Sequence, residues 1–326
     1  MDHEARGEIV DLLEKRETLR ELGSLKRRVH MQVCHNSTKA VERLLGVEGS
    51  IDIRDAAQRT LLHRACEEAN VGMVERLLTL GATVNATEKR GQTPLHRACE
   101  RGRLDVVRML VEKGGADTRA RAKLQHEPLH VACLGNWGEV VDFLLTEGNA
   151  DAEVPDKNGM RCLHLAVERN RLEAIRVLLR HGCDVEAVLP DGVTRPLHIA
   201  CRRGHEKAAT LLLEYNANHA APGVDGHSAL HMAAKEGKAA IVELLIGRKA
   251  DLYAKDHRGR TPLQFTNNRR CKERLREAER KLEKAALEQR RQAGERERER
   301  ALKRREEEIL ERLDLRSRAR TAGGVR

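Results

Sequence analysis

The chain has 326 residues, of which 40% are hydrophobic and 34% charged, so it can build a core under a heavily charged surface. Only five residues are aromatic, which disfavours a single thick globular core, because large rings normally fill such interiors. The net charge of +10 is concentrated in residues 265–326, which carry 21 basic and 13 acidic side chains, whereas the preceding residues are nearly neutral.

The first ten residues are charged throughout, and no apolar run approaches the length of a membrane span. We therefore expect neither a secretory signal nor membrane insertion. The eight cysteines show no spacing typical of a disulfide framework or a zinc finger. This pattern favours a reducing compartment, and we expect the cytoplasm, with the nucleus as an additional location.

Residues 1–26 predict an N-terminal helical cap for the repeats that follow, because terminal units of a stack need a polar outer face. A coiled-coil contact is the alternative for this segment. The apolar residues that recur there at roughly helical spacing are Ile9, Leu12, Leu13, Leu19, Leu22 and Leu25.

A degenerate form of the tetrapeptide Thr-Pro-Leu-His recurs seven times at steps of 33 or 34 residues. Proline suits the first turn of a helix, and apolar residues follow at helical spacing. A paired apolar step, such as Leu77-Leu78, comes about fourteen residues after the end of each of the first six tetrapeptides, and a glycine often ends that second helix. The seven copies begin at Thr60, Thr93, Glu127, Arg161, Arg195, Ser228 and Thr261.

The tetrapeptide and its period resemble the ankyrin-repeat family. The resemblance implies an all-α solenoid, in which helix-turn-helix repeats with short β-hairpin loops stack side by side, followed here by a long charged helix. It covers residues 27–268, as about seven repeats preceded by a degenerate unit that places His30 over His63. It further implies that the recurring histidine ties adjacent turns together by hydrogen bonds.

Two patterns in the array look like chemical sites. The segment from His126 to His130 matches the zinc-protease pattern H-E-x-x-H, but that chemistry needs both histidines on one continuous helix, which Pro128 would break. Cysteines such as Cys66 and Cys99 recur at one repeat position, where we expect them to be small, buried hydrophobic side chains. No activated nucleophile or phosphate-binding loop is apparent. We therefore predict no enzyme activity, no cofactor and no metal.

The family resemblance implies that the hairpin tips and the solvent side of the first helices form a concave groove for another protein. The repeat register places basic, acidic and a few apolar residues there, among them Lys89, Lys123 and Lys157. We expect Trp137, in an inter-helix turn where the other units carry polar residues, either to contact a partner or to fold over its own turn. The predicted protein-binding residues are Arg90, Arg101, Leu124, Leu134, Trp137, Met160, Arg169, Arg202, Arg203, His227 and Arg258.

Residues 269–326 predict a charged helical tail with a disordered end, into which the second helix of the seventh unit continues. Leucines share a heptad position at its two ends, but polar residues such as Arg296 interrupt the seam, so a single salt-bridged helix competes with a coiled coil. The tail could also serve self-association. Its interleaved acids and lack of aromatics disfavour nucleic acid.

The sequence thus favours a non-enzymatic adaptor or scaffold that binds a partner protein in the groove of the array. The alternative is a nucleic-acid-associated or nuclear regulatory protein that uses the basic tail.

Overall fold

The computed structural model describes His30 and residues 50–322, with side chains described as far as residue 307 and at Ile309. The predicted N-terminal cap (1–26), the degenerate unit apart from His30, and the last four residues of the chain lie outside the described residues. Within the described residues the secondary structure is helical and no strand is present. The helices are α1 (Leu61–Glu67), α2 (Val71–Thr79), α3 (Pro94–Arg101), α4 (Leu104–Glu112), α5 (Pro128–Gly135), α6 (Gly138–Thr146), α7 (Cys162–Glu168), α8 (Leu172–Arg180), α9 (Pro196–Arg203), α10 (Glu206–Glu214), α11 (Ala229–Lys235), α12 (Ala239–Gly247), α13 (Pro262–Phe265) and α14 (Arg269–Ala322).

Within residues 50–322 the helices form seven consecutive pairs, which we number as units 1 to 7. The first helices of successive units pack side by side in one layer, and the second helices pack in another. One continuous core of small and aliphatic side chains runs between the layers, and it includes Cys99, Val107 and Leu110. Because each pair is too small to bury its own apolar face, the pairs stabilise one another by stacking.

The recurring histidine explains why each unit begins where it does. In unit 2 the backbone N–H of Thr93 donates to His96 Nδ1 over 3.1 Å, while His96 Nε2 lies 3.0 Å from the carbonyl oxygen of His126. Since Nδ1 accepts, the ring must be neutral with its proton on Nε2, which donates to the next unit. The expectation that this histidine ties adjacent turns together is therefore confirmed.

The loop before each first helix is a tight turn, which we call a tip. In unit 4 the N–H of Asp156 donates to the carbonyl of Met160 over 3.0 Å, and Asp156 Oδ1 accepts from the N–H groups of Asn158 and Met160. These turns are the hairpin loops that the family resemblance implies. The described tips are short turns, and none of them contains a β-strand. The tips are residues 55–59, 88–92, 122–126, 156–160, 189–194, 223–227 and 256–260.

Unit 7 differs from the others because its second helix does not end. The helix α14 starts at Arg269, where Asn268 Oδ1 accepts from the N–H of Cys271, and runs for 54 residues. Its first three turns pack against α12 and bury Cys271, Leu275 and Ala278 in the common core. From residue 280 to 307 its side chains are exposed. The predicted continuation of the seventh unit into the tail is confirmed, and residues 269–278 belong to the packed array.

Candidate protein-binding groove

Hydrogen bonds between backbone groups join the tips of units 1 to 4 into one edge. The N–H of Lys89 donates to Ala57 O over 3.1 Å, that of Lys123 to Arg90 O over 2.9 Å, and that of Lys157 to Leu124 O over 2.9 Å. Each link fixes the position of one tip relative to the next. The edge therefore presents its side chains from a backbone that is already ordered.

The side chains on this edge are mostly basic and exposed. Lys89, Arg90, Lys123 and Lys157 are all exposed, and within residues 50–307 none of them forms an ion pair with an acidic side chain. Leu124 lies among them and is 45% exposed. It adopts a left-handed backbone with φ 68°, a conformation that few leucines take. We call these five residues the basic edge.

The edge is interrupted between units 4 and 5. Pro190 occupies the position where Lys157 donates in unit 4, and proline has no N–H to donate. The tip of unit 5 also has one additional residue, and Asp191 Oδ1 organises it by accepting from the N–H groups of Val193 and Thr194. A further link joins the last two tips, from the N–H of His257 to Asp225 O.

The predicted apolar residues do not form one patch. Leu124 precedes α5 and Trp137 follows it, and an eight-residue helix is about 12 Å long. Leu134, near the end of α5, and Met160, in the tip of unit 4, are partly buried. Leu124 is therefore the exposed apolar side chain of the basic edge.

Trp137 folds over the turns of units 2 and 3. Its Nε1 donates to the carbonyl oxygen of Glu100 over 3.1 Å. A Cβ atom at Gly102 or Gly135 would lie within about 2.2 Å of its indole ring, so the ring fills the space above both glycines. His205 makes the equivalent contact to Glu168 O over 3.3 Å. The alternative in which Trp137 covers its own turn thus has direct structural support, although 40% of the residue stays exposed.

Acidic neighbours neutralise half of the six predicted arginines. Arg101 lies 3.7 Å from Glu67, and both Arg202 and Arg203 face Glu168. Arg169 and Arg258 are exposed, and like Arg90 they have no ion pair among the described residues. The position of Glu67 and Glu168 near the end of a first helix, one unit before the arginine, is the signal in the sequence that would have revealed this pairing.

His227 was predicted to face the groove, but the structure buries it. Its exposure is 6%, its ring centroid lies 4.6 Å from that of Phe265, and its Nε2 lies 3.5 Å from Asp256 Oδ2. Burial and the nearby His231 lower the pKa of His227 against the opposing effect of Asp256. The short helix α13 brings Phe265 over this position, so His227 packs between units 6 and 7.

The H-E-x-x-H pattern does not assemble as it would in a zinc protease. His126 lies in a tip with extended backbone, Glu127 is the N-cap of α5, and the helix begins only at Pro128. His130 accepts from the N–H of Glu127 at Nδ1 and approaches Val154 O with Nε2 at 3.1 Å. Both nitrogens of that ring therefore have backbone partners. Burial raises the pKa of Glu127, whose carboxylate is only partly neutralised by Arg121 at 3.4 Å.

The sequence of the array matches a known family profile. The profile of ankyrin repeats matches residues 29–122, 115–189 and 189–256, together well over half of the chain. The chain is an ankyrin-repeat protein. Ankyrin repeats are generally modules of protein–protein interaction, and the comparisons indicate no catalytic family.

Solved ankyrin structures resemble the array. The human ASB11 ankyrin repeat domain is 28% identical, with a TM-score of 0.57 over 67% of this chain and 96% of that chain. The ankyrin repeat domain of Bcl-3, a member of the IkappaB protein family, is also 28% identical, covering 76% of this chain and 97% of that one with a TM-score of 0.46. No curated protein matches the chain significantly.

Across residues 50–322, no helix is both long enough and apolar enough to cross a membrane.

Proposed function

We propose that this ankyrin-repeat protein is a non-enzymatic adaptor that holds a segment of another protein along the basic edge of units 2 to 4. The observation that carries the proposal is the row of four exposed cations without acidic partners on a hydrogen-bonded backbone. Unpaired charges on an ordered surface lose little conformational entropy on binding and attract a partner of opposite charge.

The basic edge also indicates the chemistry of the segment. Acidic side chains would pair with Arg90, Lys123 and Lys157, and an apolar side chain would cover Leu124. Since the tips project from the array at regular intervals, the segment would be extended and cross several of them. The neutralised arginines Arg202 and Arg203 would contribute less, because Glu168 already occupies them.

The test is a charge reversal with a matched control. In the groove variant, Arg90→Glu and Lys157→Glu reverse two charges of the basic edge. In the control, Arg180→Glu and Lys207→Glu make the same change on exposed side chains of α8 and α10, which also have no ion pair among the described residues. Proteins captured from a cell lysate by each form are then quantified by mass spectrometry.

We expect the groove variant to lose its main partner by at least about tenfold, or ~1.4 kcal/mol, while the control retains it. The loss should shrink as salt increases, because exposed charges are screened. Equal capture by both variants, or loss from the control alone, would refute the binding surface.

A further inference from the structure

The long helix α14 carries an apolar stripe, which we call the seam, and this stripe extends beyond the end of the array. The side chains that pack against α12, namely Cys271, Leu275 and Ala278, occupy two alternating positions of a heptad repeat. The next residues on the same stripe are Leu282 and Ala285, and Leu282 is 52% exposed. The seam that joins the helix to the array therefore continues past the point where the array ends.

A groove opens at this point. It has a volume of about 690 Å³ and lies between α12 and α14, with Ile246, Leu252, Ala278 and Leu282 among its lining residues. At the equivalent place between units 1 and 2, α4 has already ended at Glu112 and Gly114 lies beside Leu78 and Val84. In unit 7 the helix continues through the corresponding position, Leu282, so no turn covers the groove.

Beyond Leu282 the same two heptad positions are polar in the middle of the helix and apolar again near its end. The first position carries Leu282, Gln289, Arg296, Lys303 and Leu310, and the second carries Ala285, Gln292, Glu299, Glu306 and Leu313. Among residues 50–307, Arg296, Glu299, Lys303 and Glu306 form no ion pair within their own helix. By contrast, Arg291, away from the seam, pairs with Glu295 at 3.3 Å.

The order of these residues decides between the two ways in which two such helices could pair. In a parallel pair each residue faces its own copy, so Arg296 would meet Arg296 and Glu299 would meet Glu299. In an antiparallel pair centred between residues 297 and 298, Arg296 faces Glu299, Lys303 faces Gln292, and Glu306 faces Gln289. The leucines at the two ends then face apolar residues, Leu282 against Leu313 and Ala285 against Leu310.

We propose that residues 282–313 pair with the same segment of a second copy as an antiparallel two-stranded coiled coil. Opposite charges at the centre set the direction, since like charges in a parallel seam repel. The paired segment is about 48 Å long. The second copy's Leu313 would arrive at Leu282, beside the open groove, so its end covers the apolar surface that the missing turn leaves.

Three variants of the full chain test the proposal by sedimentation equilibrium over a concentration series at low salt. R296E places glutamate opposite Glu299 in both halves of the antiparallel pair. We expect the dissociation constant of the dimer to rise at least tenfold. R296E/E299R exchanges the two charges and should restore the wild-type dissociation constant. R298E makes the same charge change off the seam and should leave the constant within about twofold.

The restored dimer is the deciding result. In a parallel pair R296E would exchange one like-charged contact for another, and the double variant would bring no recovery. A wild-type chain that stays monomeric over the whole series, failure of R296E/E299R to restore pairing, or an equal effect of R298E and R296E would each overturn the proposal. Because the test measures self-association alone, it is independent of the partner that binds the basic edge.

Discussion

The recurring histidines of the array work as neutral hydrogen-bonding groups. Burial lowers the pKa of His96 and His164 to about 4, although a backbone carbonyl partner acts in the opposite direction in each case. An unfolded histidine titrates near 6.5, so between about pH 6.5 and 4 the unfolded chain binds more protons than the folded one. The stability that these residues contribute is complete above pH 6.5 and is lost as the pH falls towards 4.

The chain itself supplies the substitution that tests this. Unit 7 has glutamine at the histidine position, and Gln264 Oε1 accepts from the N–H of Thr261 over 3.0 Å as His96 Nδ1 does in unit 2. We expect His96→Gln to change stability little at pH 7.5. Between pH 7 and 5 the variant should lose about 2 kcal/mol less than the wild type. Urea unfolding at several pH values measures this, and identical pH slopes would contradict it.

Trp137 gives a second prediction at the scale of one residue. Because its indole fills the space over Gly102 and Gly135 and donates to Glu100, Trp137→Ala should lower the free energy of unfolding by about 1–3 kcal/mol. The control is Tyr253→Ala, since Tyr253 is 49% exposed and a surface substitution should stay within about 0.5 kcal/mol. Unchanged thermal unfolding of the Trp137 variant would contradict this structural role.

At the scale of the element, local structure could be predicted from the sequence, whereas the contacts between units could not. The sequence predicts the tips and the helices well, because proline, the capping residue and the apolar period act locally. The interruption after unit 4 can be recognised from Pro190 only once the structure shows that an N–H donates at this position in the preceding units. The contacts of Trp137 and His227 could not be predicted in this way, because Glu100 and Phe265 come close only through the stacking of units.

Hydrogen exchange tests the connection of the tips. The backbone N–H groups of Lys89, Lys123 and Lys157 donate to the preceding tip, and we expect them to exchange at least tenfold more slowly than the N–H of Val224, which has no acceptor among the described residues. Measurement by NMR at neutral pH gives each rate. Equal rates at these four amides would mean that the edge of units 1 to 4 is not preordered.

At the scale of the whole molecule, the charged tail has two parts with different roles. Its first three turns complete the array by burying Cys271, Leu275 and Ala278, and Arg274 pairs with Glu243 of α12 at 2.7 Å. Composition alone does not separate these parts, because the core residues of this segment stand among charged neighbours. The boundary becomes visible only through burial against α12.

Two truncations separate the roles. A chain that ends after Arg280 retains the buried residues of α14. At protein concentrations too low for self-association, it should melt at the wild-type temperature. A chain that ends after Asn268 uncovers the apolar face of α12, and we expect a loss of about 3 kcal/mol in the unfolding of the last units. Calorimetry of both chains measures the difference. Equal melting temperatures would contradict the assignment of residues 269–278 to the array.

The adaptor function depends on whether a partner lies along the basic edge, and site-specific photo-crosslinking in cells tests this most directly. A photoreactive amino acid replaces Leu124, which is 45% exposed on the edge, or Leu80, which is 40% exposed at the end of α2. We predict a covalent adduct with a single partner protein from position 124, which the Arg90→Glu and Lys157→Glu changes abolish, and no such adduct from position 80. The same adducts from both positions, or none from position 124, would contradict it.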